Sequence, residues 1–232
     1  MDKLEELFNK YHLDVNSKKE LKNIIYPIYI HPEFQRRLTK EYLHHSDITL
    51  GEHILKDTIE TYLLCQKKKN INLELALKIS MFHDLYTSPW QNTSEKYKFF
   101  HKHGFRHPVE AVINAISWFP EYFTNKQDAQ IIIDGILHHM YPLPVSSNKI
   151  SIQNTEIKNY DLYLKLDHAF QEMILNSLQR KRFKDISFSK SLYIEGRIMS
   201  KADKKVALKE IKNVSSAKAL LTGKNKRIKK GN

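Results

Sequence analysis

The chain has 232 residues, 41% of them apolar, with six glycines, seven prolines and one cysteine, Cys65. That length can bury a sizeable core, the scarcity of glycine and proline favours helices over a disordered or all-β chain, and a lone thiol excludes an internal disulfide and a four-cysteine zinc site. The formal net charge is +12, but Lys201 to Asn232 holds eleven Lys and Arg against Asp203 and Glu210, which leaves the body near +3 and confines any nucleic-acid argument to the terminal segment.

The opening MDKLEELFNK is charged and lacks the apolar stretch of a secretory signal. The run IIYPIYI is broken by Pro27 and falls short of the roughly 18 apolar residues of a membrane span. A soluble, cytoplasmic protein with no membrane partner is expected. LEELFNKYHL reads as a short amphipathic helix. SKKELKNIIYPIYI reads as a second, capped by Ser17 and interrupted at Pro27. HPEFQRRLTKEYLHH places Pro32 in a first turn. A helix is predicted from about Thr49 to Lys69, with Leu50, Ile54, Ile59 and Leu63 at helical spacing. Asn72 caps the next, LELALKISMFHDL, and a long polar loop, TSPWQNTSEKYKFFHKHGF, follows. HPVEAVINAISWF is a helix opened by its proline, and TNKQDAQIIIDGILHHM opens on a Thr124/Gln127 capping box. NTEIKNYDLYLKLDHAFQEMILNSLQRKRF reads as one or two helices, and SKSLYIEGRIMSKADKKVALKEIKN as the last, despite Gly196. No alternating strand pattern exceeds a few residues. The expectation is an all-α fold. Residues 1–40 form an N-terminal helical segment packed on a core domain of 41–213. That domain has a helical insertion at about 150–190, and 214–232 is a basic, flexible tail.

Within this pattern, ionisable groups fall on apolar faces. His53 follows Leu50 by three, His83 lies one turn beyond Ile79, His139 follows Ile132 and Ile136, and Asp203 sits between Met199 and Val206. A buried carboxylate is costly unless paired or bound to a metal, and imidazoles with carboxylates on facing helices suit a divalent transition metal. His83 and Asp84 are adjacent, so both reach one site only if the helix ends there. The competing structural readings are a satisfied core histidine for His53, a solvated helix end for His83 and Asp84, and a helix-surface partner of Lys204 or Lys205 for Asp203. His12, His31 and His168 read as surface or structural. The aromatic pairs at 99, 118 and 122 read as core.

The ordered set HHSDITLGEHIL, SMFHDL, HGFRHP, ILHHMYPL and SKADK resembles the HD-domain superfamily of metal-dependent phosphohydrolases. It is most similar to a largely uncharacterised bacterial group with comparable histidine segments. The likeness covers roughly residues 30 to 145 and resumes around Asp203. It implies an HD-type helical bundle with the metal site between core helices. By this resemblance His53, His83, Asp84 and Asp203 hold one metal, while His107 and His139 match the extra histidines of two-metal members. The interval between ILHHMYPL and Asp203 is longer than in the similar proteins, so Asp161 and Asp167 stand as rivals for the last ligand.

The resemblance also implies one or two divalent ions. Iron or manganese is favoured, with zinc, nickel, cobalt or magnesium as alternatives. The implied reaction is hydrolysis of a nucleotide or other small phosphoester or phosphoanhydride by a metal-activated water. Asp84 would bridge, with His83 beside it. Lys102, His103, Arg106 and Lys204 would contact substrate phosphate, Lys102 and Arg106 aiding the reaction, and His45 would lie nearby. The alternative is an HD-fold nucleotide- or nucleic-acid-binding protein without turnover, with the basic tail supplying phosphate contacts.

Overall fold

The computed structural model describes residues 2–44, 47–87, 103–146, 160–183 and 186–211, with only the backbone at 103, 146, 160, 161 and 211. The architecture is all-α. Helices α1 (Lys3–Lys10), α2 (Val15–Tyr29) and α3 (Pro32–Arg37) lead into α4 (Leu50–Cys65) and α5 (Leu73–Phe82). After α6 (His103–Trp118) and a 3-10 turn at Pro120–Phe123 come α7 (Lys126–Leu137), α8 (Tyr160–Lys165), α9 (His168–Gln179) and α10 (Ile194–Ile211). No described helix is long and apolar enough to cross a membrane.

Several boundaries differ from the sequence expectation for local reasons. Asp14, not Ser17, caps α2, accepting from Ser17 N at 2.9 Å and from Ser17 Oγ at 2.7 Å. Pro27 does not interrupt α2, because it stands in the last turn and the helix ends two residues later. Asn125, not Thr124, caps α7, accepting from Gln127 N at 2.9 Å and Asp128 N at 3.1 Å. α6 starts five residues before Pro108 and contains that proline at the loss of one main-chain bond. α4 stops at Cys65 rather than Lys69. The segment read as one or two helices is two, α8 and α9.

α4 is the centre of the bundle. Thr49 caps it, accepting from Glu52 N at 3.2 Å, and nearly every residue from Leu50 to Tyr62 is buried. A helix buried all round is usually apolar. Here His53, Lys56, Asp57 and Glu60 are buried too, so each needs a partner. α10 supplies most of them. Glu210 accepts from Lys56 at 3.1 Å, Lys205 pairs with Glu60, and Lys209 approaches Glu60 at 3.7 Å. α5 and α7 close the layer. At their crossing with α10 a Cβ on Gly196 would lie 2.7 Å from Gly135 Cα, so the two backbones touch.

Asp134 on α7 fixes the segment before α10. It accepts from Ser177 Oγ at 3.1 Å, Ser191 Oγ at 2.6 Å and Leu192 N at 2.8 Å, and pairs with Arg180. Three two-residue strands, β1 (Val145–Ser146), β2 (Arg182–Phe183) and β3 (Ile186–Ser187), form an antiparallel sheet in the order β1-β3-β2. The pairs Val145 with Ser187 and Phe183 with Ile186 set its register. Phe119 and Phe123 are core residues as expected, while Trp118 and Tyr122 are partly buried against them. The pair at residue 99, and the tail at 214–232, lie outside the described residues.

Candidate metal centre

α5 ends at Phe82, so His83 is its C-cap and Asp84 the first residue of the turn beyond. That turn is fastened on three sides. Asn114 donates to Leu85 O at 2.5 Å, the buried Arg37 to Tyr86 O at 3.2 Å, and Thr87 N to Glu110 Oε1 at 2.8 Å. His83 keeps helical dihedrals, φ −58° and ψ −30°, and the side chains of both His83 and Asp84 are buried.

They meet three overlapping groups of ligand-type side chains, one of them His44, His53 and Asp84. His53, Asp57, His83 and Asp203, from α4, α5 and α10, present atoms all within 4.8 Å of one another. Asp84, His107 and His139 form a second such group. Asp84 belongs to both sides through different oxygens. Its Oδ2 lies 3.8 Å from His53 Nε2 and 3.7 Å from His83 Nε2, while its Oδ1 lies 3.2 Å from His107 Nε2 and 3.6 Å from His139 Nε2. Asp203 Oδ1 stands 3.6 Å from His53 Nε2.

The far nitrogens are held from behind. His83 Nδ1 lies 2.7 Å from Ser80 O, and His139 Nδ1 lies 2.7 Å from Ile136 O. If each Nδ1 carries the proton, each Nε2 is left as a lone-pair donor toward the cluster. His53 Nδ1 instead faces Glu210 Oε2 at 2.9 Å, and Lys56 holds the other oxygen of that carboxylate. Such outer partners orient a ligand and raise its basicity. Glu210→Gln is expected to weaken metal affinity about 10- to 100-fold while the fold persists. A competition titration against a chromophoric chelator measures it.

The donor set fits divalent ions. Both oxygens of Asp57, His83 Nε2 and Asp84 Oδ1 are buried without a hydrogen bond. Asp57 Oδ2 does approach His53 Nε2 at 3.0 Å and His83 Nε2 at 3.3 Å, but without hydrogen-bond geometry. Buried polar atoms are almost always hydrogen-bonded, so several such atoms converging on one place mark a ligand set. The charges show the same tension. Burial opposes the charged form of His53, but Asp57, Asp203 and Glu210 outweigh it and hold its pKa well above the ordinary value. Burial likewise opposes charge on His83, yet Asp84 and Asp57 push its pKa up to about 9. Burial raises the pKa of Asp84, and the imidazoles of His83 and His107 more than reverse this, leaving it well below the usual carboxylate range. Burial, then His107 and His83, holds His139 neutral. These shifts have one cause, the negative charge that the carboxylates gather at the cluster and that a cation would balance.

The sequence-predicted residues are placed as follows. His53, His83, Asp84, His107, His139 and Asp203 come together. Of the rivals to Asp203, Asp167 is exposed and caps α9, accepting from Ala169 N at 2.8 Å, and the side chain of Asp161 lies outside the described residues. Arg106 is buried in α6; burial lowers its pKa and Glu110, one turn on, opposes this. Lys204 Nζ donates to Ser200 Oγ at 2.5 Å and to His139 O at 3.4 Å, so it braces the main chain of a cluster residue. Lys102 and His45 lie outside the described residues, as does the side chain of His103. Asp57, Glu210 and His44 were not anticipated. His44 stacks on His53 with centroids 4.1 Å apart, and its Nδ1 lies 2.9 Å from Tyr86 Oη. Asp57 stands one turn after His53, and Glu210 two turns after Asp203, so helical spacing would have flagged both. Of the histidines read as structural, His31 caps α3 and packs on Phe119, and His168 is exposed beside Glu172.

His138, beside His139, faces away to Ser177 Oγ at 3.1 Å. Burial pulls its pKa down to about 4, with Asp134 opposing and Arg180 assisting. The folded chain thus refuses a proton that the unfolded chain accepts. Its contribution to stability is complete above the ordinary histidine pKa near 6.5 and declines as pH falls toward 4. The loss is on the order of 3 kcal/mol. Thermal melts should show a shallower decline between these pH values for His138→Gln than for the wild type.

No family model, no curated protein and no solved structure matches this chain. The class defined by fold and site is an all-α protein with a buried His/Asp cluster suited to metal.

Proposed function

We propose that this chain is a metal-dependent phosphohydrolase of the HD type, acting on a nucleotide or another small phosphoester or phosphoanhydride. The observation that carries the reading is the Asp84 carboxylate, which turns one oxygen toward His53 and His83 and the other toward His107 and His139. Asp84, facing both histidine groups, would help to hold an ion on either side. His53, Asp57, His83 and Asp203 would hold one ion, and His107 and His139 the other. Ions held there would supply Lewis acidity and bring the pKa of a bound water toward neutrality. The protein's own part is to fix donor orientation from behind, through Ser80 O, Ile136 O and Glu210, and to keep the cluster dry. Arg106, the residue before His107, and Lys204, the residue after Asp203, are the described cations that would meet substrate phosphate. Iron or manganese suits this histidine-rich oxygen and nitrogen set, with zinc, nickel, cobalt and magnesium as alternatives.

The test is elemental analysis of the purified protein, paired with phosphate release from a panel of nucleotides and small phosphoesters under added Mn, Fe, Zn or Mg. One or two transition ions per chain, with turnover, supports the reading. Bound metal without turnover on any substrate would make the chain a binding protein of the same fold. No metal even after reconstitution would overturn it.

A further inference from the structure

The geometry points to a second ligand site, a cleft on the outer face of α10 that binds a compact phosphate-bearing anion of the diphosphate class. The cleft measures about 240 Å³, and Lys190, Arg197, Lys201 and Lys204 line it. Three of these cations come from one face of α10, at spacings of four and three residues. No carboxylate is among its lining residues.

What sets these cations apart is how the helix sorts its charges. Lys205 and Lys209, facing α4, are neutralised by Glu60. None of the four cleft cations forms an ion pair with a carboxylate among the described residues. Arg197 donates to the main chain alone, to Leu192 O at 3.0 Å and Tyr193 O at 3.3 Å. Lys204 is spent on Ser200 and His139 O, and is half-buried. Lys190, Arg197 and Lys201 are exposed around this concavity, and a multivalent anion would relieve the repulsion among them. His138, Tyr141, Ser191 and Ser200 complete the lining. The volume lies below the roughly 300 Å³ at which pockets for drug-sized ligands begin, which limits the ligand to a compact group. Charge-assisted hydrogen bonds from Arg and Lys are the usual means of holding such a group.

This site is separate from the metal centre and does not depend on the hydrolase reading. It touches His139 from behind: Ser200 Oγ, at 2.5 Å, and Lys204 Nζ hold its carbonyl, while its Nε2 faces Asp84.

The experiment is calorimetric titration of the full chain, stripped of metal and dialysed free of chelator, with pyrophosphate at fixed low ionic strength. Metal removal eliminates phosphate binding at the cluster. Arg197→Ala/Lys201→Ala is expected to lose about tenfold in affinity per cation removed. Lys67→Ala/Lys68→Ala, which removes the same charge from exposed positions after α4, should bind as wild type. A nucleoside diphosphate is titrated in parallel. Affinity equal to pyrophosphate assigns a free diphosphate, and tighter binding that Tyr141→Ala removes assigns a nucleotide. Absence of pyrophosphate binding, or an equal loss in both double variants, would overturn the proposal.

Discussion

On the proposed hydrolase reading, Asp84→Asn should strip metal from both halves of the cluster at once and lower phosphate release by about 10²- to 10³-fold or more. The volume is unchanged, so the loss is one of charge and of a second donor oxygen. Each of the two oxygens faces a different pair of histidines, so no neighbouring residue can substitute for both. Asp203→Asn should weaken the half containing His53 and His83 alone. Asp167→Asn is the control. It caps α9 at an exposed position, and Asn caps nearly as well as Asp, so metal and turnover should be unaffected. Elemental analysis and phosphate release on the three variants separate these outcomes. Metal retained in Asp84→Asn would remove the bridging carboxylate from the account.

Gly196→Ala is expected to destabilise the protein by about 1–3 kcal/mol. The ordinary expectation is the reverse, since alanine within a helix is worth about 0.5–1 kcal/mol more than glycine. Packing decides the sign. A Cβ at 196 would lie 2.7 Å from Gly135 Cα and press on Ser191 Oγ, and backbone cannot step aside as a side-chain end can. Gly104→Ala in α6 is the comparison, because a Cβ there meets nothing within 4 Å. Urea unfolding of both variants gives the test, with Gly104→Ala neutral or slightly stabilising. Asp203 lies two turns beyond Gly196 on the same helix, so Gly196→Ala should also lower metal affinity.

Legible in the sequence alone were the helices and the inward-facing histidines. Periodicity records which face of an element is buried, and His53, His83, His139 and Asp203 all share faces with Leu, Ile, Met or Val. Boundaries were less legible. Ser17 and Thr124 are acceptable caps, but Asp14 and Asn125 stand three and one residues earlier or later with a side chain that reaches the free amides better. Such competition between neighbouring polar residues is settled by backbone geometry that a one-dimensional pattern does not carry.

By itself the sequence determined an all-α chain, a lone thiol, and a set of ionisable groups placed on apolar stripes. Only the tertiary structure decided that Asp57 and Glu210 join the cluster, that Asp203 rather than Asp167 faces His53, and that Asp84 divides its oxygens between two groups. The physical reason is that a pattern assigns a residue to a face of its own helix, whereas a site is made where faces of several helices meet. That meeting depends on the Gly135–Gly196 contact and on the ion pairs between α4 and α10, both of them between residues far apart in the chain.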